Sequence, residues 1–514
     1  MNQTISKWDV FELALTAQTS LNPFIEVEFE ATFTHENISI KVGGFYDGDN
    51  TYRVRFMPHL EGTWNYITTS NFTELDGQQG RFECAAPQTG NHGPVSVIDS
   101  LHFAYADGTP YHPVGTTCYV WTHQGDELEE QTLATLKTSP FNKMRMCVFP
   151  KRYRFNSNEP PSYPFEGEVK RAWNPEQLDN YHAQPPTDFW DFSRFNPAYF
   201  QHLEQRILDL QQLGIEADLI LFHPYDFGAW GFDHMPPEVN DRYLRYLVAR
   251  LSAFCNVWWS FANEYDFMNQ YTVEDWHHFF QLVQSIDPYN HLRSVHNWMT
   301  FYDHRKAWVT HCSVQSSDLL NVTQWHEQYG KPVVVDECGY EGDINLPWGS
   351  LSAEFLVELF WVGFTQGGYV GHGETYLNES ETLWWSKGGT LRGESIVRVA
   401  FLRSIIDDAP QPGISPFESQ EAIRKVMPDG VYKGIAAGHN GDDYFLLYLA
   451  RHQPRYRNFN LPEGRYQIDI IDTWNMTITP FAESAHGQVK VDLPAQPYMA
   501  IRIQRLPVQS DSLG

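Results

Sequence analysis

The sequence predicts an α/β protein: a (β/α)8 barrel flanked by an N-terminal and a smaller C-terminal antiparallel β-sandwich. Three observations lead there. Short strands of alternating polarity open and close the 514 residues. Eight short apolar runs, separated by helical stretches, fill the middle, and polar or ionisable residues gather at the ends of those runs. The expected units are residues 1–98, 99–414 and 415–514.

In IEVEFEATF, residues 25–33, Ile25, Val27, Phe29 and Ala31 face one way while Glu26, Glu28, Glu30 and Thr32 face the other, the period of a half-buried strand. ISIKV, YRVRF and TWNYI repeat that period, with turn residues such as DGDN between them, and the turn GNHGP at 90–94 closes the first sandwich. The eight barrel strands are PVGTTCYVW, KMRMCVF, EADLILF, NVWWSFAN, HLRSVHN, VTHCSVQ, PVVVDEC and GGYVGHGE. Asn196-Pro197 predicts a helix start that Gly214 closes, and Thr272 with Asp275 predicts a capping box. Residues 151–195, rich in Pro and aromatic residues, are too long for a plain connection between strands two and three, and are expected to wall a site. YQIDIIDTW, QVKVDL and MAIRIQR form the last sandwich.

Hydrophobic residues make up 42% and charged residues 19%, enough for a sizeable core. A net charge of −28 with no basic run excludes nucleic acid as a partner, because phosphate binding needs clustered Lys and Arg. No stretch is long and apolar enough for a membrane helix. The N-terminal residues lack the pattern of a signal peptide, and the six cysteines are scattered without a CxxC pair, so a reduced, cytoplasmic protein is expected. No cofactor and no metal are expected: HxH and HExxH spacings are both missing. Self-association into a homo-oligomer stays open.

The stretch VWWSFANEYD, residues 257–266, carries the chemistry. Charge at the end of a buried strand is expensive unless something uses it. Barrel enzymes place their reacting groups at the C-terminal ends of the strands. Those ends hold Trp121, Arg145, His223, Asn263-Glu264, His296-Asn297, His311 and Gln315, Asp336-Glu337, and His372 with Glu374. Asn-Glu recurs at Asn158 and Asn378, but only Asn263-Glu264 ends a buried apolar run. Glu264 ends strand four and Glu337 strand seven, across the barrel from one another. Two carboxylates so placed suit retaining glycoside hydrolysis, in which the carboxyl groups stand about 5–5.5 Å apart. One protonates the leaving oxygen, the other attacks the anomeric carbon, and Glu264 then activates water. Asp336 precedes Glu337 and points the other way on a strand, toward a helix N-terminus or a cation; a register slip of one would exchange the two.

An Asn-Glu pair ending strand four with a second Glu ending strand seven resembles clan A of the retaining (β/α)8 glycoside hydrolases. The whole layout is similar to a group of bacterial glycosidases with a DUF5060-like N-terminal sandwich, an apiosidase-like (DUF4038-like) barrel and a DUF5605-like C-terminal sandwich. The resemblance implies Glu264 as acid/base, Glu337 as nucleophile, Asn263 on the sugar 2-hydroxyl and Arg145 orienting Glu337. Clan members often carry a strand-six Tyr touching the nucleophile; this chain has His311 and Gln315 there.

The expected activity is removal of a terminal sugar from an oligosaccharide or glycoside. His223, His296, Asn297 and Glu374 are expected as further pocket groups, with Trp121, Trp298, Trp384 and Trp385 available for stacking on sugar rings; core packing is the competing role for each. A non-catalytic carbohydrate-binding or scaffold protein on the same barrel is the alternative, and metal-dependent hydrolysis a third.

Overall fold

A computed structural model describes residues 3–432 and 434–507; residues 1–2 and 508–514, at the outer ends of the first and third expected units, lie outside the described residues, as does residue 433. The N-terminal sheet runs in the spatial order Gln3–Ser6, Gln79–Ala85, Gly62–Ser70, Phe29–His35, Ile38–Tyr46, Thr51–Phe56 and Phe11–Thr16. Residues 38–43 pair with Phe29–His35, whereas Gly44, Phe45 and Tyr46 pair with the next strand, so one strand serves both layers. It can cross because Gly44 lies under the Phe29 ring, where a Cβ would come within 2.2 Å of Cδ1. Between the layers Phe11 stacks on Phe82 and Phe33 on Phe56, each pair at 4.2 Å. The strand expected from residue 25 begins only at Phe29. Ahead of it the Asn22 carbonyl accepts from the Ile25 and Glu26 amides, a local turn that leaves Ile25 exposed despite its alternating pattern.

The eight central strands are Val114–Thr117, Lys143–Cys147, Glu216–Phe222, Val257–Ala262, Arg293–Ser294, Cys312–Gln315, Val333–Glu337 and Tyr369–His372, one in each predicted run. All pair in parallel with their neighbours. The eighth pairs with the first, and a His296–Ser313 bridge joins the fifth to the sixth, closing the barrel. Their near-continuous apolar character follows from burial on both faces. The barrel interior holds a buried ionic triad: Lys143 Nζ donates to Asp336 Oδ1 at 2.8 Å and lies 2.5 Å from Asp218 Oδ2. Asp336 therefore faces a cation, and its carboxyl is held far below the usual range because the Lys143 and Arg145 charges and the Lys143 and Ser313 hydrogen bonds outweigh its burial.

Thr272 and Asp275 form the expected capping box on helix Val273–Ile286. Helix Pro197–Gln212 starts at Pro197, but Asn196 does not cap it; its amide donates to the Tyr163 carbonyl instead. Residues 151–195 carry an antiparallel pair, Phe165–Gly167 with Trp190–Phe195. The C-terminal unit is a six-stranded sheet from Ser415–Pro416 to Met499–Arg505 together with the pair Tyr456–Asn460 and Gln488–Asp492.

The flanking units are joined to the barrel by buried contacts. Arg55 lies 2.8 Å from Glu204, and Arg250 bonds Glu204 at 2.5 Å and reaches Asp47 at 2.8 Å. On the other side Trp361, from helix Ala353–Thr365, stacks on Tyr448 at 5.5 Å. No described helix is long and apolar enough to cross a membrane.

Candidate active site

Strand four, Val257–Ala262, is buried along its whole length and delivers Asn263 and Glu264 to the barrel mouth. Glu264 itself adopts the left-handed conformation, φ 51° and ψ 54°, and opens a 3₁₀ turn over Tyr265–Phe267. A non-glycine residue there is uncommon and strained, and such residues cluster at active sites. Strand seven delivers Glu337. Glu264, Glu337 and Asn263 line one cavity of about 720 Å³, with the loop from residue 151 as one wall, through Lys151, Tyr153, Phe155 and Tyr181.

Arg145, buried on strand two, ties the two carboxylate strands together. Its Nη1 donates to Asn263 Oδ1 at 2.7 Å and to Glu337 Oε1 at 3.4 Å. Tyr119 donates to the same Asn263 oxygen at 3.0 Å, which orients the amide nitrogen toward the cavity. Glu264 accepts from the Tyr225 hydroxyl, and the Gln315 amide, oriented with its nitrogen toward the carboxylate, donates to Glu264 Oε1 at 3.1 Å. The buried Tyr340 phenol lies beside Glu337 without a well-aligned hydrogen bond.

Burial pushes both carboxyls up. Glu264 reaches about 7, with the Asp266 charge adding to burial while Lys151, Gln315 and Arg145 oppose it. Glu337 reaches about 8, opposed by Tyr340. Burial alone thus makes Glu337 the better proton holder. The guanidinium 3.4 Å from Glu337 acts the other way, favouring its ionised form. Of the two carboxyls around this hollow, the one against a guanidinium is the better placed to be the charged member.

The other expected site groups are distributed unevenly. His296 is buried beneath Glu337, its Nε2 4.0 Å from Oε1, and is kept neutral by burial and by Arg145. It does not line the cavity, and nor do five others. Strand one stops at Thr117, so Tyr119 reaches the cavity while Trp121 turns into the core and donates to Met146 Sδ. His223 spans Phe149 O and the Tyr225 amide, at 3.2 Å each, and so holds the loop bearing Tyr225. Asn297 donates to Trp298 O and accepts from the Gln315 amide. Glu374 accepts from the Arg392 and Gly393 amides ahead of helix Ser395–Asp407, a structural cap rather than a sugar contact. Trp384 donates to Thr116 in the core, and its neighbour Trp385 faces the cavity. Trp298 also lines the cavity, stacked on Phe267 at 3.9 Å.

Lys151, Tyr225, Tyr340 and Tyr119 were not singled out from the sequence. All but Tyr119 sit in loops without periodicity. The signal for Tyr119 was its place in the same apolar run as Trp121, two residues earlier. Among the described residues the one group of His, Asp and Glu spaced for a metal is Asp126, Glu129 and His202, which lies outside the cavity lining; there Arg206 bonds both Glu129, at 2.6 Å, and Asp126, at 3.2 Å.

A closed parallel barrel with two acidic side chains at one mouth, taken with the matches that follow, defines the class: this is a glycoside hydrolase. Residues 99–392 match the model of the apiosidase-like catalytic domain, residues 4–71 the domain of unknown function DUF5060, and residues 434–504 the domain of unknown function DUF5605. The chain belongs to the apiosidase-like family. The crystal structure of a candidate glycoside hydrolase from Bacteroides vulgatus ATCC 8482 is 40% identical to it, with a TM-score of 0.88, covering 98% of this chain and 100% of that one. A family 5 glycoside hydrolase of the same organism shares the fold at 15% identity and a TM-score of 0.59, over 80% of this chain and 94% of that one. No curated protein matches the chain in sequence.

Proposed function

We propose that the protein is a retaining exo-glycosidase that removes one terminal sugar from a short glycoside. The observation that carries this reading is the single cavity lined by both Glu264 and Glu337, with Arg145 bonded to Glu337 and to Asn263. Glu337 attacks the anomeric carbon as Glu264 gives its proton to the departing oxygen. Glu264, now ionised, takes a proton from water, and that water's oxygen displaces Glu337 from the sugar. Asn263 offers its amide nitrogen to the sugar hydroxyl beside the reacting carbon. The aromatic wall that residues 151–195 contribute to the cavity supports exo action. The family name puts apiosides among the first substrates to try. Six free, buried thiols support a reducing compartment.

The test is a panel of nitrophenyl glycosides, apiosides included, with proton NMR of the first product. Retention of the anomeric configuration is expected, and an inverted first product overturns the two-step mechanism. Activity that survives intact in Glu337→Gln overturns the assignment of the nucleophile.

A further inference from the structure

Lys151 is buried, yet it lines the catalytic cavity. Its Nζ stands 3.6 Å from the Tyr119 ring centre, 3.9 Å from Tyr225, 4.5 Å from Tyr153 and 5.6 Å from Trp385. Among the described residues no carboxylate forms an ion pair with it, and no oxygen accepts a hydrogen bond from it. Ring faces attract an ammonium but satisfy none of its N–H groups, and a desolvated ammonium without a counter-charge is costly.

The nearby carboxylate does not fill that role. Glu264 is already bonded by Tyr225 and Gln315, and the first step of glycoside cleavage requires it to be neutral. Arg145, the next cation, is spent on Asn263 and Glu337. The cavity wall therefore presents a preorganised positive charge with its donors free. A neutral sugar hydroxyl would meet the donors but leave the charge uncompensated.

We infer that Lys151 binds an anionic group, a carboxylate or a sulfate ester, carried by the sugar that occupies this cavity. The inference rests on the glycosidase reading for the nature of the ligand and narrows it to acidic sugars. The protein's overall charge of −28 makes a local cation more telling, because an anionic ligand has to be drawn in against the general field.

Isothermal titration calorimetry on the full chain tests it without turnover. D-Galacturonate and D-glucuronate probe the carboxylate, galactose 6-sulfate and glucose 6-sulfate probe the ester, and galactose and glucose are the neutral controls. At least one acidic sugar is expected to bind about tenfold or more tightly than its neutral parent. Lys151→Met should erase that preference. Neutral sugars binding as well as the acidic ones, no binding of any acidic sugar, or a preference that survives in Lys151→Met each overturns the inference. Should that variant fail to fold, the wild-type comparison decides alone. Failure on the nitrophenyl panel would sink the glycosidase reading and leave this binding result standing.

Discussion

Arg145 Nη1 stands 3.4 Å from Glu337 Oε1, and the same nitrogen donates to Asn263 at 2.7 Å. One buried cation thereby contacts both the carboxylate proposed as nucleophile and the amide beside the proposed acid/base. Arg145→Met should lower kcat/KM by about 10²–10³-fold, as loss of a preorganised electrostatic contact does. It should also move the acid limb of the pH–rate profile upward, because Glu337 loses the charge that favours its ionised form. Arg145→Lys, which keeps the charge but not the fork, should restore part of the pH profile and less of the rate. Rate profiles of the three proteins check this.

Glu337→Gly should be inactive on aryl glycosides and regain turnover with azide, which fits the space left by the carboxylate. The glycosyl azide formed should carry the anomeric configuration opposite to the substrate, read by proton NMR. No rescue together with intact substrate binding would count against Glu337 as nucleophile.

Tyr225 donates to Glu264, and a hydrogen bond to the charged form lowers a carboxyl pKa. Tyr225→Phe should therefore raise the Glu264 pKa and shift the basic limb upward, with a loss of about tenfold in kcat. In the wild type, burial raises Glu264 to about 7, which places the basic limb near neutral pH. A maximum near pH 5, with a basic limb unmoved by Tyr225→Phe, would contradict this electrostatic picture.

Stability should carry the opposite signature. Glu264 is raised from 4.5 to about 7, chiefly by burial, so the folded protein binds more protons than the unfolded chain between those values. That contribution is fully present below the unfolded pKa and is lost as pH rises through the folded one. Glu264→Gln removes the dependence. Its melting temperature should match the wild type near pH 4 and exceed it by several degrees near pH 9, a comparison that scanning calorimetry makes directly.

The barrel was legible because parallel strands buried on both faces read as short apolar runs, and even the two-residue strand Arg293–Ser294 fell within one. Asn263, Glu264 and Glu337 stood out because charge follows immediately on such runs. Side-chain direction beyond the strand ends was not legible. Trp121 was singled out where Tyr119 was not, and Trp384 was offered alike with Trp385, yet the chain turns after Thr117, and along the short helix Trp384–Lys387 successive residues face different ways. Lys151 and Tyr225 come from connections whose conformation depends on distant packing, so no local pattern marks them. The alternation from Ile25 misled for a related reason: a four-residue turn at Asn22 overrode it.

The ionic contacts among Arg55, Asp47, Glu204 and Arg250 bear on any attempt to trim the enzyme to its barrel. Asp47 and Arg55 belong to the first 98 residues, while Glu204 and Arg250 sit on barrel helices together with Tyr246, whose hydroxyl donates to the Tyr46 carbonyl at 2.9 Å. Cutting between the units would open an apolar scar around Phe254 and Tyr246 and strip Glu204 and Arg250 of partners on the discarded side. A minimal catalytic fragment of this protein therefore keeps its N-terminal sandwich, and deletion scanning for crystallisation or engineering has to start elsewhere.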